Sequence, residues 1–178
     1  MKKWMILPFL ICSVELYAAT CDSLFDGQER RKLHSSASIE LCPLTSNKPV
    51  LIVNTASHCG FTPHFKTLEA IHEQYQAQGL VVIGVPSDDF WQEEDKEKDT
   101  AEVCYINYGV TFTMLATSSV RGDDADPIFK QLAQRSGSAP KWNFYKYLVD
   151  TDGSVQVFPP TTAPESEEFQ QAIIKLLK

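Results

Sequence analysis

The apolar positions change period along the chain, and each change marks an element. From Ser38 to Cys42, Ile39 and Leu41 alternate with polar residues, which predicts a short half-buried strand. Pro49 then precedes Val50-Leu51-Ile52-Val53, an unbroken apolar run of the kind that forms a central strand buried on both faces. Thr62-Pro63 supplies a capping residue and a first-turn proline, after which Phe65, Leu68, Ile71 and Tyr75 recur at helical spacing until Gly79. Leu80 to Val85 is a second apolar run closed by Pro86, so strand, helix and strand follow one another as in a parallel crossover.

Beyond Pro86 the pattern loosens. Ser87 to Lys98 reads as a charged loop, followed by a helix capped by Asp99 with Glu102 three residues on, running to Tyr108-Gly109 and containing Cys104. Thr111 to Val120 predicts a strand, and Asp126-Pro127 opens a helix that turns Ile128, Phe129 and Leu132 inward and stops at Gly137. Phe144 to Val149 and Val155 to Phe158 flank Asp150-Thr151-Asp152-Gly153, a hairpin signal that implies antiparallel edge strands. A last helix gathers Phe169, Ala172, Ile173, Leu176 and Leu177 on one face. The expected fold is α/β: a central mixed sheet flanked by helices, ending in a C-terminal hairpin and helix. No repeat or linker divides residues 20–178, which read as a single domain.

The first nineteen residues stand apart. Lys2 and Lys3, an apolar stretch from Trp4 to about Val14, and the small pair Ala18-Ala19 predict a signal peptide cleaved near Ala19, hence a bacterial periplasmic or secreted protein. The apolar stretch, broken by Pro8, is too short to span a bilayer. Its removal takes away Lys2, Lys3 and Glu15 and shifts the formal charge from −7 to −8. That balance argues against nucleic acid or an anionic membrane surface as partner of the mature form.

Four cysteines would remain: Cys21, Cys42, Cys59 and Cys104. They allow three pairings, and the sequence alone does not choose among them. Cys21 and Cys42 both precede the first core strand, and an oxidising compartment would let them close a structural disulfide. Cys59 lies at a strand-to-helix turn, where unpaired N–H groups and the positive end of the helix dipole favour a thiolate, the reactive form of cysteine.

A cysteine at such a turn in an α/β core is the arrangement of thioredoxin-like proteins, yet Cys59-Gly60-Phe61-Thr62 lacks the second thiol of Cys-x-x-Cys. The stretch Asn54-Thr55-Ala56-Ser57-His58-Cys59-Gly60-Phe61-Thr62 resembles the nucleophile motif of the glutathione peroxidase family in its cysteine form. Trp142-Asn143-Phe144 with Lys146-Tyr147-Leu148-Val149 is similar to that family's second signature. Asn107 to Phe112 and Phe158 to Pro164 are similar to two further stretches in order.

The resemblance implies a thioredoxin-like fold and a peroxidase in which Cys59 cleaves the O–O bond and becomes a sulfenic acid. It also implies that Trp142 and Asn143 donate hydrogen bonds at the site, and that Cys104 resolves the sulfenic acid by forming a disulfide with Cys59. Hydrogen peroxide or organic hydroperoxides would be the substrate, and glutathione or a thioredoxin-like protein the reductant, with no bound cofactor. The family's usual glutamine, counted from Pro86, falls on Asp89, which makes Asp89 a candidate of opposite donor character. Glu93, Glu94, Asp95, Glu97 and Asp99 are interrupted by Lys96 and Lys98 and read as a solvated loop rather than a metal site. A thiol-disulfide oxidoreductase and a non-catalytic redox sensor on the same fold remain alternative readings.

Overall fold

The computed structural model describes residues 21–178; the signal peptide expected over residues 1–19 lies outside them. Five strands form the main sheet: β3 (Val50–Thr55), β4 (Val81–Pro86), β5 (Thr113–Met114), β6 (Lys146–Val149) and β7 (Val155–Phe158). Their spatial order is β5-β4-β3-β6-β7, with β3, β4 and β5 parallel to one another, β6 antiparallel to β3 and β7 antiparallel to β6. A small separate ribbon pairs β1 (Glu29–Arg31) with β2 (Ser38–Glu40).

Burial explains the unbroken apolar runs. Along β3, Leu51 and Val53 face one core with the helix α2 (His64–Tyr75) and the helix α5 (Glu167–Leu176). Val50 and Ile52 face the other core, with the short helix α1 (Leu41–Thr45) and the helix α4 (Pro127–Ser136). Both sides being covered, every position of β3 is buried. Gly84 on β4 is demanded by close approach: an added Cβ would lie 2.3 Å from Met114 Sδ on β5.

Several boundaries differ from the sequence expectation. Leu41 and Cys42 belong to α1 rather than to a strand, because β2 stops after pairing Glu40 with Glu29. The strand expected over Thr111–Val120 shrinks to two residues, since Ala116 N–H donates to Arg31 O at 2.8 Å and Ser118 N–H to Pro86 O at 3.0 Å instead of continuing the ladder. Of the two hairpin strands, β6 is interior beside β3 and only β7 lies at a sheet edge. The helix α3 (Glu97–Ala101) begins two residues before Asp99 and continues as a wider turn over Glu102–Asn107, where Tyr108 N–H reaches back five residues to Val103 O at 3.2 Å. Asp126 and Ser166 cap α4 and α5, accepting from the N–H groups of Ile128 and Phe169. Among the described residues, no helix is long and apolar enough to cross a membrane.

Candidate active site

β3 delivers the site. After Thr55 the chain turns through Ala56, Ser57 and His58 to Cys59, and α2 begins at His64. Thr62, expected as a helix cap, braces the nucleophile turn instead. Its hydroxyl accepts from Cys59 N–H at 3.0 Å and donates to Ala56 O at 2.9 Å. Thr62 N–H closes the turn onto Cys59 O at 2.9 Å. Phe61 N–H lies 3.5 Å from Cys59 Sγ, a main-chain donor directed at the sulfur. Cys59 itself is 6% exposed, so the thiol lies beneath the surface rather than displayed on it.

The second signature is fastened to the same strand end. Fully buried Asn54 donates through Nδ2 to Trp142 O at 3.0 Å, accepts at Oδ1 from Tyr145 N–H at 3.0 Å, and accepts at its carbonyl from Phe144 N–H at 2.6 Å. Phe144 adopts a φ of 63°, costly for a bulky side chain, and its ring packs edge-on against Phe65 of α2 at 5.3 Å. Those contacts hold the strained backbone and present Asn143, 0% exposed, on the Cys59 side of β3. Asn143 Nδ2 donates to Gln92 Oε1 at 3.0 Å, and its Oδ1 is buried without a hydrogen-bond partner among the described residues. The partly exposed Trp142 indole packs against Phe90, ring centroids 5.5 Å apart.

Gln92 is the residue that sequence reasoning missed. Its carbonyl accepts from His58 N–H at 2.9 Å while its side chain meets Asn143, so it joins the nucleophile turn to the second signature. Asp89, expected in this place, points elsewhere: its Oδ2 accepts from the N–H groups of Val120 and Arg121 at 2.6 and 3.1 Å. A reversal at Trp91, with φ of 56° and its N–H on Asp88 O at 2.9 Å, separates the two directions. The glutamine was visible as a residue type, but its place depends on that reversal.

The acidic stretch is also less solvated than expected. Glu94 pairs with His58 at 2.8 Å and Glu97 with Arg31. Glu93 is buried and accepts from Ser57 Oγ, from Thr100 Oγ1 at 3.1 Å and from Glu94 N–H at 2.8 Å. Burial pushes its carboxyl up, and the charge of Glu94 adds to this despite the three donors. Among the described residues no group of acids, histidines or cysteines is arranged to hold a metal ion.

Cys104 is 1% exposed and lies in the same buried cluster as Cys59 and Phe65. Burial, reinforced by the charge of Glu93, pushes its thiol up to about 12. Cys21 and Cys42 stand at the other pole, where β3 begins. The structure brings together the two cysteines expected to form a disulfide: their side chains are in hydrogen-bond contact, and Cys42 Sγ also lies 3.6 Å from Ser46 Oγ. Burial, with the neighbouring Cys42, raises the Cys21 thiol to about 11.

A mixed sheet that ends its central strand in a single buried cysteine beside a donor-bearing loop places the chain among proteins of thioredoxin-like fold. The comparisons with known proteins specify it: the sequence model of the family described as glutathione peroxidase matches residues 31–133. A glutathione peroxidase of Lactococcus lactis is 44% identical over 73% of this chain and 85% of its own length. The glutathione peroxidase-like peroxiredoxin HYR1 of Saccharomyces cerevisiae is 43% identical over 74% of this chain and 83% of its own. In three dimensions, the crystal structure of Trgpx in apo form superposes with a TM-score of 0.67 at 31% identity, covering 90% of this chain and 97% of that one. The chain belongs to the glutathione peroxidase family and is a thiol-dependent peroxidase.

Proposed function

We propose that this protein is an exported peroxidase that reduces hydrogen peroxide or organic hydroperoxides, with Cys59 as nucleophile and Cys104 as resolving thiol. The Cys59 thiolate attacks the nearer peroxide oxygen, the O–O bond breaks, and the departing oxygen leaves as water or alcohol after taking up a proton. Cys104 then displaces the hydroxyl of the sulfenic acid, giving the Cys59–Cys104 disulfide and water. Disulfide geometry requires close Cα atoms, and the wide turn carrying Cys104 is the segment that would bring it to Cys59 in this step. A thioredoxin-like protein or glutathione returns both thiols. The observation that carries the reading is the seating of Cys59, with Phe61 N–H aimed at its sulfur and Gln92 tying its turn to Asn143.

Trp142, Asn143 and Gln92 supply the polar side of the pocket. The buried Asn143 Oδ1 is free to accept from a peroxide O–H, while its amide and the indole N–H offer donors to the developing negative charge. Thr62, whose hydroxyl sits where Cys-x-x-Cys proteins carry their second thiol, favours peroxide chemistry over dithiol exchange. Export rests on the segment 1–19, and an oxidising compartment would let the neighbouring Cys21 and Cys42 close a disulfide.

Reaction of the fully reduced protein with one equivalent of hydrogen peroxide, followed by mass mapping of cysteine links, tests the chemistry. The expected product carries a new Cys59–Cys104 link. Peroxide consumption by Cys59→Ser at the wild-type rate overturns the proposal.

A further inference from the structure

Glu93 is a buried carboxylate with no cationic partner among the described residues, and the steps above give it no role. Its contacts are unusual in what they join. Ser57, two residues before Cys59, donates to its Oε1 from the nucleophile turn. Thr100 donates to the same oxygen at 3.1 Å from the helical segment that carries Cys104. Thr100 and Cys104 are four residues apart on that segment, and such residues lie one above the other on one face. Glu93 therefore joins the nucleophile turn to the segment that carries Cys104, close enough for its charge to act on the Cys104 thiol.

We propose that Glu93 is the proton acceptor for Cys104 in the resolving step, an inference that rests on Cys104 being the resolving thiol. The Glu93 carboxylate takes the proton from Cys104 Sγ; the sulfur's freed electron pair forms the bond to Cys59 Sγ, and the S–O bond of the sulfenic acid breaks. The proton on Glu93 then passes to the departing hydroxide, which leaves as water, and the carboxylate is restored. No other oxidant, reductant or base enters the balance. The need is chemical: a thiol held near 12 is almost wholly protonated at neutral pH, and the thiol is a poor nucleophile beside its thiolate. A carboxylate whose own affinity for protons is raised by burial is better matched to that transfer than an exposed one.

The groups around Glu93 define what else titrates. Glu94 adjoins it in the loop and is paired with His58, Asp88 Oδ1 accepts its N–H at 3.2 Å, and the helical side contributes Cys104 with Tyr105 beside it. Ser57 and Thr100 contribute hydroxyls only.

The experiment follows disulfide formation after one equivalent of hydrogen peroxide, by rapid quench and mass detection between pH 6 and 9. In the wild type the rate is flat once Glu93 is ionised. In Glu93→Gln, which keeps an acceptor oxygen of similar reach, it falls at least about tenfold at pH 7 and climbs about tenfold per pH unit, because hydroxide must now generate the thiolate. Glu93→Asp keeps the flat profile at a reduced rate, and Ser57→Ala, which loosens the carboxylate without removing it, also keeps it. Glu93→Gln forming the disulfide as fast as the wild type, or faster with an unchanged profile, overturns the inference while leaving Cys104 as resolving thiol. Glu93→Asp adopting the Gln profile also overturns it. A wild-type protein that never links Cys59 to Cys104 removes the resolving role itself.

Discussion

Asn54 and Trp142, 88 residues apart, are joined by a 3.0 Å hydrogen bond from the Asn54 side chain to the Trp142 carbonyl. The same side chain accepts from Tyr145, so Asn54→Ala leaves two partly buried main-chain groups without partners. At about 1 to 3 kcal/mol for each such group, less what relaxation recovers, the variant should lose about 2 to 4 kcal/mol of stability. Peroxidase activity should fall further than folding explains, because Asn143 loses its fixed position. Urea denaturation beside initial peroxide turnover checks both; wild-type stability would show that Asn54 is not the fastening.

Gln92 and Asp89 make opposite predictions. Gln92→Ala removes the partner of Asn143 and should slow oxidation of Cys59 about tenfold or more. Asp89→Asn retains an acceptor for Val120 and Arg121 and should leave that rate within about twofold. Stopped-flow tryptophan fluorescence at several peroxide concentrations gives the second-order constants. The reverse order of effects would restore Asp89 to the site.

The Cys104 thiol, held near 12 against an ordinary 9.0, should resist alkylation in the folded reduced protein. At pH 9 its thiolate fraction is lower by a factor on the order of 10² to 10³ than that of a free cysteine. Iodoacetamide labelling read by mass should therefore leave Cys104 unmodified at pH 9 and modify it promptly in urea. Prompt labelling without denaturant would contradict the burial of this thiol.

Lys146 predicts a stability profile. It is fully buried, donates to the carbonyls of Phe144 and Pro159 at 3.1 and 3.0 Å, and burial lowers its ammonium from 10.5 to about 8. Between those values the unfolded chain keeps a proton that the folded chain has released, so raising the pH favours folding. Relative to Lys146→Met, the wild type should gain up to about 3 kcal/mol as the pH rises from about 8 to 10.5, and lose it again on the way back down. Urea midpoints of both proteins at pH 7.5, 9 and 10 test this, since groups common to both cancel. A constant difference across the range would rule it out.

Much of this was legible in the chain. Val50 to Val53 and Val81 to Val85 announce buried strands because both faces of the sheet are covered, and Cys59 could be placed because the strand and helix patterns bracket it. Gln92 and Glu93 were not, since their roles arise from a left-handed residue at Trp91, a position that local propensity gives no reason to expect in that conformation. Glu93 was further hidden by its acidic neighbours, which do face water or cations while it alone turns inward. The wide turn at Cys104 was read as ordinary helix because one additional residue per turn leaves the apolar spacing nearly unchanged.

The sheet order also sets a timetable. β3, α2 and β4 are contiguous and can pair early, whereas β6 must return across some ninety residues before it docks on β3. A nascent chain thus owns its nucleophile long before Trp142, Asn143 and the Asn54 fastening are in place. The donor-bearing side of the site therefore arrives with the last third of the polypeptide, whereas the turn that seats Cys59 closes within residues 56–62.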